Sequence, residues 1–431
     1  MESGQGADYD VAIMGGGASG LAAAIASARS GARVLVIERD IEIGTSLLAT
    51  GNGRCNLSND HLHPEHYLHP EAARAVMGAS PEAELADFFA SIGLPTTSID
   101  GWRYPLTKRA ASVQAALLAA CKREQVALLC ASTLERAQKT RDGWILEVRV
   151  PEGDFTASPA SSASSGVSES VARRRARRRA LAAAPTVLKR ICAHCAILAV
   201  GGRSAAACSI FDLEHEPEEP VLCPIACEPK DLGGSMWAPL DGLRIAASVQ
   251  LLRLGQPIYE EAGELLFRPY GISGIMAFNL SRRIQAADEL AVDLVACLTD
   301  EALGRDLAWR AQNLAPKPDQ ASWFTGLLAP ALADVVLAAL HKSGKPVHEL
   351  VRSFPLKVLG RAEERSAQIH RGGIPLSTVD LKTLCLRSGL YAAGEVLDQD
   401  ADCGGFNLAW AWISGLRAGY AAAHAVKVRL P

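Results

Sequence analysis

Tyr9–Glu38 reads YDVAIMGGGASGLAAAIASARSGARVLVIE, and this stretch decides the fold. Tyr9–Met14 is a short run of β-formers and apolar residues. The alanine-rich run after it has strong helical propensity and stops at Gly31. Arg33–Ile37, RVLVI, is a second buried strand. The strand–helix–strand unit carries G-x-G-x-x-G as Gly15, Gly17 and Gly20. Gly15 permits the turn out of the strand. Gly17 lets a pyrophosphate approach the backbone, and Gly20 lets the helix pack close to the strand. Ala18 and Ser19 open the helix, where free N–H groups and the helix dipole attract phosphate. Glu38, followed by Arg39, ends the second strand, where a carboxylate accepts hydrogen bonds from an adenosine ribose.

Composition narrows the class. The chain has 431 residues, 49% of them hydrophobic and 21% charged, with a net charge of −3. That is too apolar for global disorder, and its length predicts two to three domains. No apolar run is long enough to span a bilayer. Aromatic residues make up only 5%, which disfavours stacked-base recognition. The polar, acidic start MESGQGADYD has no signal-peptide core, so the 11 cysteines are expected reduced and the protein cytoplasmic.

A glycine fingerprint does not separate NAD from FAD; two further segments favour FAD. Thr50–Asn59, TGNGRCNLSN, follows the first unit and offers Thr50, Gly51, Asn52, Gly53, Arg54, Cys55 and Asn56 to a cofactor. Near the C-terminus, Leu390–Ala393 is a short buried strand ending in Gly394 and Glu395. The Gly404-Gly405 pair then opens a long apolar helix with Phe406 and Asn407. A carboxylate at that strand end can hold a ribityl hydroxyl. A helix N-terminus there can face the electron-rich pyrimidine edge of a flavin. A nicotinamide enzyme has no need of this downstream module.

GGGASGLAAAIAS, LLATGNGRCNLSN, GELLFRPYGISG, HRGGIPLSTVDLKT and SGLYAAGEVLDQDADCGGFNLAWAWISGLRAG lie in order from residue 15 to residue 419. In them the chain resembles the bacterial two-domain flavoproteins of the BaiN/RdsA type, NAD(P)/FAD-dependent oxidoreductases also called aminoacetone-oxidase-like. The resemblance implies an α/β fold: a Rossmann-like FAD-binding domain of the glutathione-reductase type with an inserted domain, part β-rich and part helical. It implies non-covalent FAD, the backbone near Leu134 beside the adenine, and Gly201 at a strand end beside the flavin. The expected organisation is 1–202 and 353–431 for the FAD domain and 203–352 for the insert, with Phe354–Leu359 leading back to the FAD domain. The chain departs from the family pattern at Gly44-Thr45-Ser46, at Phe267-Arg268-Pro269 and at Arg203–Phe211. At the second of these the family has a His that this chain lacks.

Other segments read as follows. Residues 151–190 are low in bulky side chains and carry six arginines at 173–175 and 177–179, a flexible surface excursion. Val126–Ala131 and Trp144–Val150 look like strands of a small antiparallel element. His61, His63, His66 and His69 lie among prolines, in a spacing that fits a solvated loop better than a metal site. Cys192 and Cys195 approach a buried strand and read as core cysteines. No metal is expected. No second G-x-G-x-x-G follows, so a separate NAD(P)H domain is not expected.

The expectation is an FAD-dependent oxidoreductase in which NAD(P)H, a transient co-substrate, reduces the flavin. The flavin then reduces a small apolar carbonyl or enone-type substrate. Arg54, Asn56, Arg268, Tyr270 and Ser273 are the pocket candidates. Tyr270 could donate a proton, and Arg268 could bind a carboxylate or enolate oxygen. Arg268 reads equally as a surface ion-pair partner, and Tyr270 as packing. Two alternatives stay open. One is an oxidase using oxygen with an amine or steroid-like donor. The other is a flavoprotein that binds RNA or a membrane through the arginine run, although the near-neutral chain leads us to expect no nucleic-acid partner and no membrane span.

Overall fold

The computed structural model describes residues 7–152, 176, 179–181 and 183–429. The arginines at 173–175 and 177–178, and most of the 151–190 excursion, lie outside the described residues. The chain forms two compact units, Met1–Glu219 with His370–Pro431, and Pro220–Ile369.

The first unit is built on β1 (Tyr9–Met14), α1 (Ala18–Arg29) and β2 (Val34–Ile37). Its eight-stranded sheet has the order Cys385–Arg387, Leu390–Ala392, Thr186–Leu198, β1, β2, Ala127–Leu129. Leu390–Ala392, Thr186–Leu198, β1, β2 and Ala127–Leu129 run parallel. Ala127–Leu129 therefore belongs to the parallel sheet, against the expected antiparallel element. Its short apolar run cannot declare its partner; its register with Leu35–Ile37 does. Trp144–Pro151 pairs antiparallel with Thr133–Lys139 and with Thr186–Leu198. That last strand begins at Thr186, so residues 186–190 are sheet rather than excursion.

β1 and β2 are buried nearly throughout, as a central parallel sheet requires. Asp10 holds their mutual register, accepting from the Arg33 backbone N–H at 2.7 Å and from Arg33 Nη2 at 2.9 Å. Burial pushes the Asp10 carboxyl up, but the Arg33 bonds outweigh it and the net shift is downward. Asp10 stability is therefore complete above the unfolded carboxylate range, near pH ~4, and is lost as pH falls through the lower folded value. Asp10→Asn is expected to cost about 1 kcal/mol at neutral pH. In urea melts the gap to wild type should close as the pH is lowered from 5 to 2.

Gly415 and Gly419 of the C-terminal helix Phe406–Arg429 face α1. A Cβ at Gly415 would overlap the carbonyl of Ser19, and one at Gly419 the carbonyl of Ala23. Ser27 Oγ donates to Gly419 O at 2.9 Å. The alanine-rich face of α1 thus serves backbone-to-backbone helix packing.

The second unit is a closed barrel of Ile225–Pro229, Gly271–Ser273, Gln256–Arg268, Arg244–Arg253, Glu289–Asp293 and Phe354–Arg361. The helices Ile275–Ser281, Asp300–Asn313, Pro330–Ser343 and Val347–Arg352 accompany it. The expected insert, 203–352, differs from this unit at both ends. Cys208 and Phe211 are buried in the first unit's core, with Phe211 edge-on to Trp144. Phe354, Leu356 and Val358 fill the barrel core, so Phe354–Leu359 is a barrel strand rather than the return to the FAD domain.

Candidate dinucleotide-binding site

The parallel strands put their carboxyl ends together, and the chain order reverses beside β1. β2 follows it on one side, and the late strand Thr186–Leu198 lies on the other. Such a switch point leaves a crevice at the strand ends. Gly15 sits there at φ +106°, where a Cβ would overlap Ala199 O. At Gly20 a Cβ would overlap Gly15 O. These two glycines close the turn by backbone contact. Gly17 differs: its φ of −83° suits any residue, and a Cβ would meet nothing nearer than Ser46 Oγ at 3.4 Å. The space in front of Gly17 is therefore open, unlike that at Gly15 and Gly20. Ala18 and Ser19 are buried in the first turn of α1.

Glu38 is fixed by two backbone donors, Gly16 N–H to Oε2 at 2.6 Å and Asp40 N–H to Oε1 at 2.7 Å. Each oxygen keeps a lone pair for a ribose hydroxyl. Glu38 O accepts from Ser132 N–H at 2.8 Å, so the segment leading to Leu134 runs beside it. Leu134 is half-buried on its strand and Arg39 is exposed.

Thr45–Gly53 is a broken 3-10 segment with Gly51 and Asn52 in the left-handed region. Thr50 O accepts from Cys55 N–H at 3.1 Å. Burial pushes the Cys55 thiol up to about 11, the behaviour of a core cysteine. Arg54 is exposed and lies close enough to lower the Tyr104 hydroxyl, against a larger upward push from burial. Asn56, with its amide oriented to its neighbours, donates to Ser58 O and Arg103 O and accepts from Gly405 N–H at 3.1 Å. Asn59 Nδ2 donates to Gly404 O at 3.0 Å. The TGNGRCNLSN motif therefore clamps the double-glycine turn before the C-terminal helix.

Glu395 lies against Gly202, where a Cβ would overlap its carboxylate, and close to Gly201 at φ +78°. Its Oε1 accepts from His370 N–H at 2.7 Å. Gly394, at φ +80°, packs on Ser19 and donates to Ser414 Oγ at 2.9 Å. Glu38 and Glu395 follow strands three sheet positions apart, about 14 Å at ~4.8 Å per strand. That span suits a dinucleotide lying across the strand ends.

At the 24-residue C-terminal helix, Gly405 has φ +94° and a Cβ there would overlap Ser58 O. Asn407 is engaged within its own turn, accepting from Ala401 N–H and donating to Ala401 O, each at 2.8 Å. Phe406 is buried, and His66 lies flat on it with centroids 4.1 Å apart. His61, His63 and His69 are exposed, as expected of a solvated loop, but the segment also docks on residues 398–406: His66 Nδ1 lies 3.2 Å from Asp402 Oδ2 and His69 Nε2 lies 3.4 Å from Asp398 Oδ2. Proline spacing concealed this, because the partners are more than three hundred residues away. The contacts of Gly16 with Glu38 and of His66 with Phe406 were not in the sequence expectation; the glycine beside Gly15 and Gly17 hinted at the first.

Arg268, Tyr270 and Ser273 belong to the barrel unit. Arg268 pairs with Asp241 at 3.2 Å and lies 6.0 Å from the Tyr270 ring centroid. Burial raises the Tyr270 hydroxyl, partly offset by Arg268. Ser273 is buried in the strand Gly271–Ser273. Cys192 and Cys195, an odd spacing on one strand, point to opposite faces of the sheet. Among the described residues no cluster of His, Cys, Asp or Glu is arranged to hold a metal. None of the described helices is long and apolar enough to cross a membrane.

Fold and site define a Rossmann-type flavoprotein oxidoreductase. The sequence pattern of the HI0933-like protein Rossmann domain family matches residues 9–421, and the chain belongs to that family. It is 31% identical to a 3-dehydro-bile acid delta(4,6)-reductase of Clostridium scindens (strain ATCC 35704 / DSM 5676 / VPI 13733 / 19), over 96% of this chain and 98% of that protein. It is 23% identical to a ribosomal RNA dihydrouridine synthase of Haemophilus influenzae (strain ATCC 51907 / DSM 11121 / KW20 / Rd), over 93% and 95%. Among solved structures, a 3-ketosteroid-delta4-(5alpha)-dehydrogenase from Rhodococcus jostii RHA1 is similar at a TM-score of 0.46 and 14% identity, over 98% of each chain.

Proposed function

We propose that the protein binds FAD across the strand ends and uses NAD(P)H to reduce a carbon–carbon double bond conjugated to a carbonyl in a small, largely apolar substrate. The observation that carries the FAD reading is the open face of Gly17 between two anchored carboxylates, Glu38 and Glu395. Gly15, Gly17 and the first N–H groups of α1 would hold the pyrophosphate, Glu38 the adenosine ribose, and Glu395 the ribityl chain. Bound FAD supplies two-electron transfer; the chain supplies orientation and charge complementarity. The relatives support the enone class: a delta(4,6)-reductase and a dihydrouridine synthase both add two hydrogens across a double bond. Arg54, exposed on the glycine-rich loop, is the proposed anchor for an anionic or carbonyl oxygen of the substrate. Tyr270, with Arg268 beside it in the barrel unit, is proposed as a proton donor.

Anaerobic mixing tests this reading. NADH or NADPH should bleach the flavin, and a 3-keto-Δ4 or Δ4,6 steroid should restore its colour with one carbon–carbon double bond reduced for each flavin reoxidised. If neither nucleotide bleaches the flavin but an amine does, the reductase reading fails and the oxidase reading replaces it. The dihydrouridine synthase relatives favour a second reading, a uracil ring in RNA as the conjugated acceptor. Recolouring by uridine-containing RNA, with steroids inert, would select it.

A further inference from the structure

We propose that His66 is a positioning residue for the flavin: by holding Asp402 and Phe406 it preserves the positive potential at the start of the helix Phe406–Arg429. The proposal rests on the flavin reading above.

A helix of this length carries about half a positive charge at its N-terminus. Asp402 lies just before that terminus, with its side chain only 9% exposed. A carboxylate there bears a full negative charge and opposes the helix end. Three carboxylates line the approach to the helix, and each has a basic partner. Asp398 meets His69 at 3.4 Å, Asp400 is gripped by Arg371 at 2.7 Å and 3.1 Å, and Asp402 meets His66 at 3.2 Å. Of these partners, His66 is the one stacked on the first helical residue, at 4.1 Å from Phe406 with planes 21° apart. The contact is locked from both sides. Asp402 N–H donates to His66 O at 3.0 Å, and the neighbouring Tyr67 donates its hydroxyl to Phe406 O at 3.0 Å. Glu65, the acid next to His66, turns to Arg74 at 3.4 Å. The imidazole therefore restrains the charge of Asp402 and the aim of the first helical turn together.

The two partners have opposite signs of effect, which a merely structural role does not produce. His66→Gln leaves Asp402 opposing added electrons, so the bound flavin becomes harder to reduce. Asp402→Asn makes it easier, and the double variant returns toward wild type. The experiment is equilibrium reduction of the FAD-loaded full chain against a reference dye. Each single change is expected to shift the reduced-to-oxidised ratio about tenfold in opposite directions, about 30 mV for a two-electron couple. Shifts of the same sign, or none in flavin-loaded protein, overturn the proposal. If His66→Gln does not fold, Asp402→Asn decides alone: easier reduction supports the proposal, and unchanged or harder reduction overturns it. Wild-type protein that cannot be loaded with flavin overturns the flavin reading first, and this proposal with it.

Discussion

Gly17→Arg is expected to give a folded protein that no longer binds flavin. The backbone at Gly17, φ −83°, accepts a side chain without strain, and a Cβ has room. Arginine at this position nevertheless fills the space before the first turn of α1, where a pyrophosphate must approach the N–H groups. We expect FAD affinity to fall at least about a hundredfold, close to ~2.8 kcal/mol, with little change in the thermal midpoint of apoprotein. Gly20→Ala is the contrasting case. Its Cβ overlaps the carbonyl of Gly15, so stability and binding should fall together. Calorimetry of apoprotein beside FAD titration separates the two. Equal FAD affinity in Gly17→Arg and wild type would remove Gly17 from the cradle.

The second large effect concerns the helix pair beneath the site. Gly415→Ala adds a Cβ that overlaps the Ser19 carbonyl and touches the Ala22 methyl, so α1 and the C-terminal helix must separate. Overpacking of this kind costs about 3 kcal/mol, while replacing glycine in a helix returns about 1 kcal/mol of propensity. The net loss, about 2 kcal/mol, lowers the melting temperature by about 3 °C in a unit of this size. Gly304→Ala is the control. Gly304 lies in the helix Asp300–Asn313 with nothing within 4 Å of its Cβ, so the propensity gain stands alone and the midpoint should rise. A fall at Gly304 or no fall at Gly415 would contradict the packing account. Because Ser19 also abuts Gly394, Gly415→Ala should weaken FAD binding as well.

What was legible in the sequence was local. β1, α1 and β2 were readable because their apolar spacing and Gly15, Gly17 and Gly20 lie within thirty consecutive residues. Glu395 and the Gly404-Gly405 helix start were readable for the same reason. Pairing between distant segments was not. The parallel partnership of Ala127–Leu129 with β2, the clamp of Asn56 and Asn59 on Gly404-Gly405, and the docking of His66 on Phe406 are set by tertiary packing. The insert's limits were blurred because Cys208, Phe211 and Phe354 are equally apolar, and only their cores distinguish them. Asn407 illustrates the limit at the site itself. Its position beside the double glycine marked it for the cofactor, yet its amide is engaged with Ala401.

The central claim is that the strand-end crevice of the first unit is built for FAD. The most direct measurement is the absorption spectrum of the purified full-length protein, before and after incubation with excess FAD and gel filtration, with the released cofactor identified after denaturation. A flavin spectrum in wild type, FAD rather than FMN in the supernatant, and a colourless Gly17→Arg protein are the predicted results. A colourless wild-type protein that FAD cannot reconstitute would contradict the account.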